Sequence, residues 1–315
     1  MTLNRRWLLP FIGYAVSIVC MVLVYRNFDW GEQLPRILQT DPLDLGLAIF
    51  CDFAVYCTQG WRWNQLLLPV GPLPVWRSMQ AIYIGLFANE VLPLRPGEVI
   101  RAFLQARWSG VPFTIVLSSV VIERLFDGVW LILGFLITSF LVDLPPVLIY
   151  GSRILGVVLV VLGGLLAMAV LRREQAEKWV NPKFHHHLVA LETMGRSPSF
   201  YFSFFLSIFY LAFQVGPIYF VQRGFGLNLS LFACFAILVI LRVSGIPPQA
   251  PGNIGSFQAF TIVGAMLFGV DRQAATGYAT LLFLVIAVPL WIVGFVALLA
   301  TKMKLSQLTH DAHHT

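Results

Sequence analysis

Long apolar runs separated by short polar stretches dominate the pattern of this chain. An α-helix needs about 20 mainly apolar residues to cross the hydrocarbon layer of a bilayer. Eight apolar runs are long enough. A further run, at 78–92, is short and ends at Pro93, which is typical of a broken or re-entrant helix. The pattern therefore predicts an all-α polytopic membrane protein with one or two broken or re-entrant segments. Its eight predicted spans lie near 8–25, 45–60, 113–141, 147–171, 199–221, 229–247, 254–270 and 274–300.

Composition agrees with this prediction and excludes a sizeable soluble domain. Of the 315 residues, 58% are hydrophobic and 11% are charged, and the mean hydropathy is +0.79. A soluble domain has roughly 45–50% apolar and about 25% charged residues. We therefore expect one transmembrane domain over 1–315, with a cytoplasmic loop at 172–198 and a cytoplasmic tail at 301–315.

The net charge of +6 is explained by membrane topology. Lys and Arg collect in the short cytoplasmic loops of membrane proteins, and most basic residues here flank apolar runs. Counting Arg62, Arg77, Arg95, Arg101 and Arg107 as loop residues predicts a cytoplasmic N-terminus and C-terminus. We expect membrane lipids as partners and no nucleic acid, and the pattern favours no particular oligomeric state.

Two breaks in the apolar pattern resemble each other. Residues 93–97 and 248–252 both read Pro-x-x-Pro-Gly, and both are followed by a Gly-Val pair and a long apolar run. This order indicates a duplicated unit with halves near 45–171 and 199–300. Four apparent spans separate the breaks, which would place both on one side of the membrane, whereas an inverted pair needs an odd number.

Proline and glycine at these breaks should interrupt helices. The exposed amides of a broken helix carry partial positive charge and favour an anion, although ordinary loops between spans are the alternative. The predicted helix-breaking residues are Pro93, Pro96, Gly97, Pro248, Pro251, Gly252 and Gly255.

Charged residues inside the apolar runs need partners or a purpose, because burying them in the bilayer is costly. Glu123 and Asp127 are four residues apart and share one helix face, and Arg124 can reach Asp127 or another helix. Arginine presents paired donors to phosphate oxygens; the alternative is ion pairs that lock helices together. Asp52 and Arg242 are further charges within predicted spans. The predicted substrate-binding residues are Arg95, Glu98, Arg101, Glu123, Arg124 and Asp127.

Catalytic and metal-binding patterns are missing from the sequence. It contains neither the HExxH helix motif of zinc proteases nor the glycine-rich nucleotide-binding motifs. The cysteines lie in apolar stretches without metal-ligand spacing. We therefore expect a protein that is not an enzyme and that needs no metal and no cofactor.

The chain resembles the lysylphosphatidylglycerol synthase transmembrane-region family, also called flippase-like domain proteins. The first matching stretch runs from Leu92 through the Pro-Gly-Glu of 96–98 to Val-Ile-Glu-Arg-Leu-Phe-Asp at 121–127. The second is Pro-Gly-Asn-Ile-Gly-Ser-Phe-Gln-Ala at 251–259. The resemblance covers nearly the whole chain. Gln258 and Leu281–Leu284 depart from it, because the family often has Glu and Arg there.

This resemblance implies a role in moving lipids between leaflets of the bacterial cytoplasmic (inner) membrane. The expected substrate is a phosphate-headed, polyprenyl-type or hopanoid-type lipid. Two alternatives stay open: a noncatalytic membrane partner of a lipid-modifying or glycosyltransferase enzyme, and an integral-membrane enzyme acting on a lipid phosphate.

Overall fold

The computed structural model describes residues 5–93, 95–141, 146–171, 185–244 and 251–301. Within these ranges it contains twelve α-helices and no strand, which confirms the predicted all-α class. The helices are α1 Arg5–Tyr25, α2 Trp30–Leu38, α3 Pro42–Leu67, α4 Val75–Val91, α5 Gly97–Ser109, α6 Phe113–Leu141, α7 Pro146–Leu171, α8 His185–Gly195, α9 Pro198–Gly224, α10 Leu231–Ser244, α11 Ser256–Leu267 and α12 Arg272–Leu299.

Helices α9 and α12 are long and apolar enough to cross a membrane. Helices α3, α6 and α7 contain 26, 29 and 26 residues, which gives lengths of about 40 Å. Large apolar side chains such as Phe140 and Val160 are exposed on their surfaces. This arrangement suits a bundle whose outer surface faces lipid tails. Helix α8 lies inside the segment predicted as the cytoplasmic loop, of which 172–184 is outside the described residues, as is 302–315 of the predicted tail.

Helices α4 and α5 form an antiparallel hairpin, called here hairpin 1. Ser78 Oγ donates to Gln105 Oε1 at 3.2 Å near the open end, and Gly97 N donates to Asn89 Oδ1 at 2.7 Å near the turn. Prolines in the turn interrupt the helix, and the Asn89 carboxamide satisfies a backbone donor that the break leaves unpaired. The short run 78–92 is thus the broken segment that its sequence predicts.

Two glycines allow the arms of hairpin 1 to touch backbone to backbone. A Cβ atom built on Gly97 would lie 1.9 Å from the carbonyl oxygen of Gly85, and one built on Gly85 would lie 2.5 Å from that of Gly97. Both distances are far below van der Waals contact. This crossing therefore admits no side chain larger than hydrogen.

Helices α10 and α11 form a second hairpin, called hairpin 2, in which Gly264 packs against Ile237 and Ile240. Their described residues number 14 and 12, or about 21 and 18 Å, against a hydrocarbon layer about 30 Å thick. Separate spans at 229–247 and 254–270 stay a prediction, because 245–250, which include Pro248, lie outside the described residues. Pro251, Gly252 and Gly255 immediately precede α11.

Both halves of the chain show the same succession of elements. The second arm of each hairpin is followed by a glycine with positive φ, 71° at Gly110 and 82° at Gly269. A valine and then a helix of 29 or 28 residues, α6 or α12, come next. This is the arrangement expected of the predicted duplicated unit.

The two hairpins open toward opposite ends of the bundle. Phe126 packs on Phe200, and Trp130 Nε1 donates to the Phe204 carbonyl at 2.9 Å, so α6 and α9 run parallel. Helix α6 starts where hairpin 1 opens, and α9 ends where hairpin 2 starts. Three long helices, an odd number, lie between the hairpins, as an inverted pair requires. The count of four spans included 229–247, most of which here forms the first arm of hairpin 2.

We expect Gly97→Ala to destabilise the protein by about 1–3 kcal/mol, the usual cost of forcing extra atoms into a packed contact. Gly163→Ala is the matched control, because nothing lies within 4 Å of a Cβ at that helical glycine. Thermal unfolding of the purified protein in detergent, followed by loss of the monodisperse chromatographic peak, measures the difference. Equal melting temperatures for the two variants would contradict the proposed backbone contact.

Candidate functional site

Six charged side chains from α3, α5 and α6 form a closed ring in which arginines and carboxylates alternate. Three positive and three negative groups make the ring neutral, and every member contacts two neighbours of opposite charge. Ion pairs of this density are unusual in an apolar bundle, where each charge must find a partner. The order around the ring is Arg62, Glu123, Arg101, Glu98, Arg124, Asp127 and back to Arg62.

The inner half of this charge ring is buried around Glu123. Its Oε1 lies 2.9 Å from Arg62 Nη2, and its Oε2 lies 2.8 Å from Arg101 Nη2. The side chains of Arg62 and Glu123 are 0% exposed and that of Arg101 is 3% exposed. Arg62 also bonds Asp127 and, at 2.8 Å, the hydroxyl of Ser207. One carboxylate thus ties α3 to α5 through α6.

Aromatic rings cover the buried guanidinium groups. Arg62 lies 4.2 Å from the centre of the Tyr210 ring, and Arg101 lies 4.7 Å from that of Trp63. The electron-rich faces favour the cations and exclude lipid from them. One buried donor, Arg101 Nη1, has no hydrogen-bond partner among the described residues.

Local helix geometry explains much of the ring. Glu123 and Asp127, one turn apart on α6, both reach Arg62, as their spacing predicts. Arg124 Nη1 lies 3.2 Å from Asp127 Oδ2, which confirms the pairing expected at i,i+3. On α5, Arg101 Nε donates to Glu98 Oε2 at 2.7 Å with the same spacing.

The outer half of the ring has an accessible edge, formed by Arg124 and Glu98. Their side chains are 40% and 37% exposed and are bonded to each other. Two further arginines flank this edge: Arg95 is in electrostatic range of Glu98 and Arg124, and Arg242 is in range of Asp127. Arg242 bonds Gln214 and lies 3.4 Å from the hydroxyl oxygen of Tyr210.

The turns of the two hairpins meet beside this edge. Arg95 Nη1 donates to Asn253 Oδ1 at 2.8 Å. Both residues have positive φ, 53° and 52°, a conformation that non-glycine residues rarely adopt and that concentrates at functional sites. Glu90, at the end of α4, accepts from Trp291 Nε1 on α12 at 3.0 Å.

The region as a whole carries an excess positive charge. Arg95 and Arg242 add two positive charges to the neutral ring, and Glu90 adds one negative charge, so the sum is about +1 for ionised side chains. An anionic group of a ligand at the accessible edge would balance this excess.

All six predicted site residues lie in this region, five of them in the ring and Arg95 at the hairpin turn. Arg62 was not among the predicted site residues, because it was counted as a loop residue with Arg77. Helix α3 continues to Leu67 because no proline interrupts it between positions 42 and 69, and that was the available signal. Arg62 and Arg101 lie on helices, and only Arg95 lies in a turn. Cytoplasmic termini stay a prediction.

Predicted helix breakers occupy both turns. Pro93, Pro96 and Gly97 lie at the turn of hairpin 1, and Pro251, Gly252 and Gly255 lie at that of hairpin 2.

Residues that depart from the family pattern have structural roles. Gln258 Oε1 accepts from Gly255 N at 2.7 Å and caps α11, a task that Glu also performs. Leu281 and Leu282 pack in a buried apolar core.

Comparison with known families identifies this architecture. The family model of the lysylphosphatidylglycerol synthase TM region matches residues 11–294. The chain belongs to this family. The charge ring and both hairpins lie inside the matched residues, so they are features of a family member over nearly its whole length.

Curated relatives support a multi-pass membrane protein. A UPF0104 membrane protein of Methanocaldococcus jannaschii is 20% identical over 93% of this chain and 95% of its own. Another, from Methanothermobacter thermautotrophicus, is 24% identical over 85% and 86%. The glycosyltransferase AglD of Haloferax volcanii is 25% identical over 44% of this chain and 24% of its own. These relatives are archaeal, and a bacterial inner membrane stays a prediction for this chain.

We expect Arg62→Gln to destabilise the protein by about 3–5 kcal/mol, because it removes the fully buried cation that Glu123 and Asp127 share. The control is Arg196→Gln, which removes an exposed i,i+4 pair with Glu192 and should cost about 0–1 kcal/mol. Thermal unfolding in detergent compares them. The double variant Arg62→Gln/Asp127→Asn, which restores neutrality, should recover part of the loss. Similar melting temperatures of Arg62→Gln and Arg196→Gln would contradict the ring.

Proposed function

We propose that this membrane protein of the lysylphosphatidylglycerol synthase TM region family moves a phosphate-headed or polyprenyl-linked lipid between the leaflets. The observation that carries the proposal is the accessible edge of the charge ring, where hairpins from opposite ends of the bundle meet. A headgroup reaching this edge from either leaflet would encounter the same arginine-rich surface.

The chemistry of this edge suits a phosphate. A guanidinium group offers two parallel donors to phosphate oxygens and stays charged under all relevant conditions. Arg124 is held by Glu98 and Asp127 but keeps exposed surface. The excess positive charge supplied by Arg95 and Arg242 would be neutralised by an anionic headgroup. The carboxylates of the ring then act as supports that hold each arginine in place.

The broken helices suit passage of a polar group through a bilayer. Irregular backbone is tolerated at membrane depth only where protein or water supplies hydrogen-bond partners, and transporters place such breaks at their binding sites. Here the breaks lie beside the ring and are joined by the Arg95–Asn253 bond. In our proposal the headgroup follows the edge of the ring while the acyl chains stay in lipid.

A second role is favoured by one of the comparisons. Part of the chain is similar to part of a protein named as a glycosyltransferase, which suits a noncatalytic membrane partner of a glycosyltransferase or another lipid-modifying enzyme. Co-purification of such an enzyme, together with an absence of lipid movement by the purified protein, would support this role over translocation.

We further propose that the protein is not itself an enzyme and that it resides in a bacterial cytoplasmic membrane with both termini in the cytoplasm. Two hydroxyls near the ring donate to backbone carbonyls, that of Ser203 to Arg62 and that of Ser207 to Ser203, so neither resembles an activated nucleophile. Turnover of a radiolabelled lipid phosphate by the pure protein would refute the first proposal.

We expect wild-type protein in liposomes to accelerate the transbilayer movement of fluorescent phospholipids, and Arg124→Gln to reduce that acceleration at least tenfold. The variant removes a guanidinium that is bonded at the accessible edge, and a charge-assisted contact is worth about 1.5–3 kcal/mol. The assay is quenching of the outer-leaflet label by dithionite. Arg196→Gln, which changes an exposed arginine far along the chain, should move lipid at the wild-type rate.

Two results would count against this site. Movement that survives Arg124→Gln unchanged would remove the ring edge from the lipid path. No movement of any phosphate-headed lipid by the wild type would favour the partner role or a lipid without a phosphate.

We also expect that joining the hairpin turns stops lipid movement. Arg95→Cys and Asn253→Cys, in a background without the four native cysteines, would be linked by a short bis-methanethiosulfonate reagent, which forms a disulfide with each thiol, releases two methanesulfinates and is cleaved by a reductant. Because a headgroup must pass where the turns now touch, the linked protein should be inactive, and cleavage of the linker should restore movement. Full activity of the linked protein would show that the turns need not separate. Each single-cysteine variant treated with the same reagent is the control.

A further inference from the structure

A cavity lies on the outer surface of the bundle, between α3, α4 and α12. It has a volume of about 370 Å³ and an almost wholly apolar lining that includes Phe50, Phe53 and Leu290. This volume falls in the range typical of small-molecule sites. Around it, Ile49, Val288 and Ile292 are exposed, as expected of a surface that contacts lipid tails. We call this cavity the lateral groove.

Two polar groups interrupt the apolar lining of the lateral groove. Asp52 and Tyr83 both line it, and their exposed fractions are only 4% and 6%. Among the described residues Asp52 belongs to no salt bridge. Its interacting neighbour is Tyr56, one turn further along α3. The carboxyl group thus faces an apolar space without a cation.

Tyr83 is under-satisfied in the same place. Its hydroxyl is buried and makes no hydrogen bond of ordinary geometry among the described residues. The neighbouring thiol of Cys57 is a weak acceptor at most. Buried hydroxyl and carboxyl groups are costly without hydrogen bonds. The unsatisfied Tyr83 hydroxyl, beside a carboxyl group that has no cation, indicates that a polar occupant completes the hydroxyl.

We propose that the lateral groove binds a long-chain amphiphile whose head carries a hydrogen-bond donor, a hydroxyl or an ammonium group. The apolar chain would occupy the space between Phe50 and Leu290, and its head would donate to the Asp52 carboxyl and accept from, or donate to, the Tyr83 hydroxyl. A hydroxyl can do both, whereas an ammonium can only donate. A phosphate is disfavoured because it would place a second acidic group beside the buried Asp52 carboxyl.

The lateral groove is separate from the charge ring. Asp52 precedes Arg62 by ten residues on α3, or about 15 Å along the helix, and neither polar group of the groove contacts a ring residue through a hydrogen bond among the described residues. The proposal therefore does not depend on translocation, and its test measures binding rather than lipid movement.

The experiment uses three probes that share one diazirine-bearing chain and end in an alcohol, an amine or a methyl group. Each is photolysed with the full-length protein in lipid nanodiscs, and labelled peptides are identified by mass spectrometry. We expect the alcohol or the amine to label peptides of the groove, around 46–53 and 289–293, at least about fivefold more than the methyl probe, as one hydrogen bond predicts.

Two variants test the polar groups. Tyr83→Phe removes only a hydroxyl and should lower labelling by the donor probes about fivefold. Asp52→Asn replaces one of the two carboxyl oxygens by an amide donor, and it should lower labelling by the alcohol and amine probes and leave labelling by the methyl probe unchanged. Tyr14→Phe, at an exposed tyrosine of α1, is the control and should label like wild type.

Equal labelling of the groove by all three probes would overturn the proposal, because the groove would then hold bulk lipid tails without regard to their heads. Donor-selective labelling that persists in Tyr83→Phe and Asp52→Asn would also overturn it. Melting temperatures close to wild type establish that each variant is folded.

Discussion

Burial of Glu123 between Arg62 and Arg101 is the interaction on which the rest of the site depends. Both of its oxygens are used, one by each guanidinium, and none of the three side chains reaches solvent to a significant extent. Buried ions are stable only when their partners are held in place. The two contacts of Glu123 therefore fix α3, α5 and α6 relative to one another, and with them the direction in which hairpin 1 leaves the bundle.

Closure of the ring separates a structural half from an accessible half. The inner pairs cannot release a partner without leaving a charge in an apolar core, so they serve as supports. At the outer edge Arg124 and Glu98 are partly exposed, and exchange of one ion-pair partner for a ligand oxygen costs far less there. Excess positive charge from Arg95 and Arg242 lies at the same edge, beside the contact between the two hairpin turns.

Sequence patterns predicted the fold class, the helix breaks and all the carboxylates of the ring, because each of these is a local signal. The spacing of Glu123, Arg124 and Asp127 predicted a shared face for the two carboxylates and the pairing of Arg124 with Asp127. The Pro-x-x-Pro-Gly pattern predicted both turns. Arg62 was missed because its partners are more than 60 residues away in sequence, and local pattern cannot reveal such contacts. The apolar arms of hairpin 2 were predicted as separate spans, because apolar periodicity does not show whether a helix crosses the bilayer or turns back.

Binding of a lipid headgroup at the accessible edge is tested most directly by a cryo-electron microscopy structure of the protein in nanodiscs that contain a phosphate-headed lipid. We expect an intact ring, with headgroup density in hydrogen-bond contact with Arg124 at the junction of the hairpin turns. An intact ring whose accessible edge carries no headgroup, with lipid density confined to the outer surface of the bundle, would contradict this expectation and leave the ring a purely structural device.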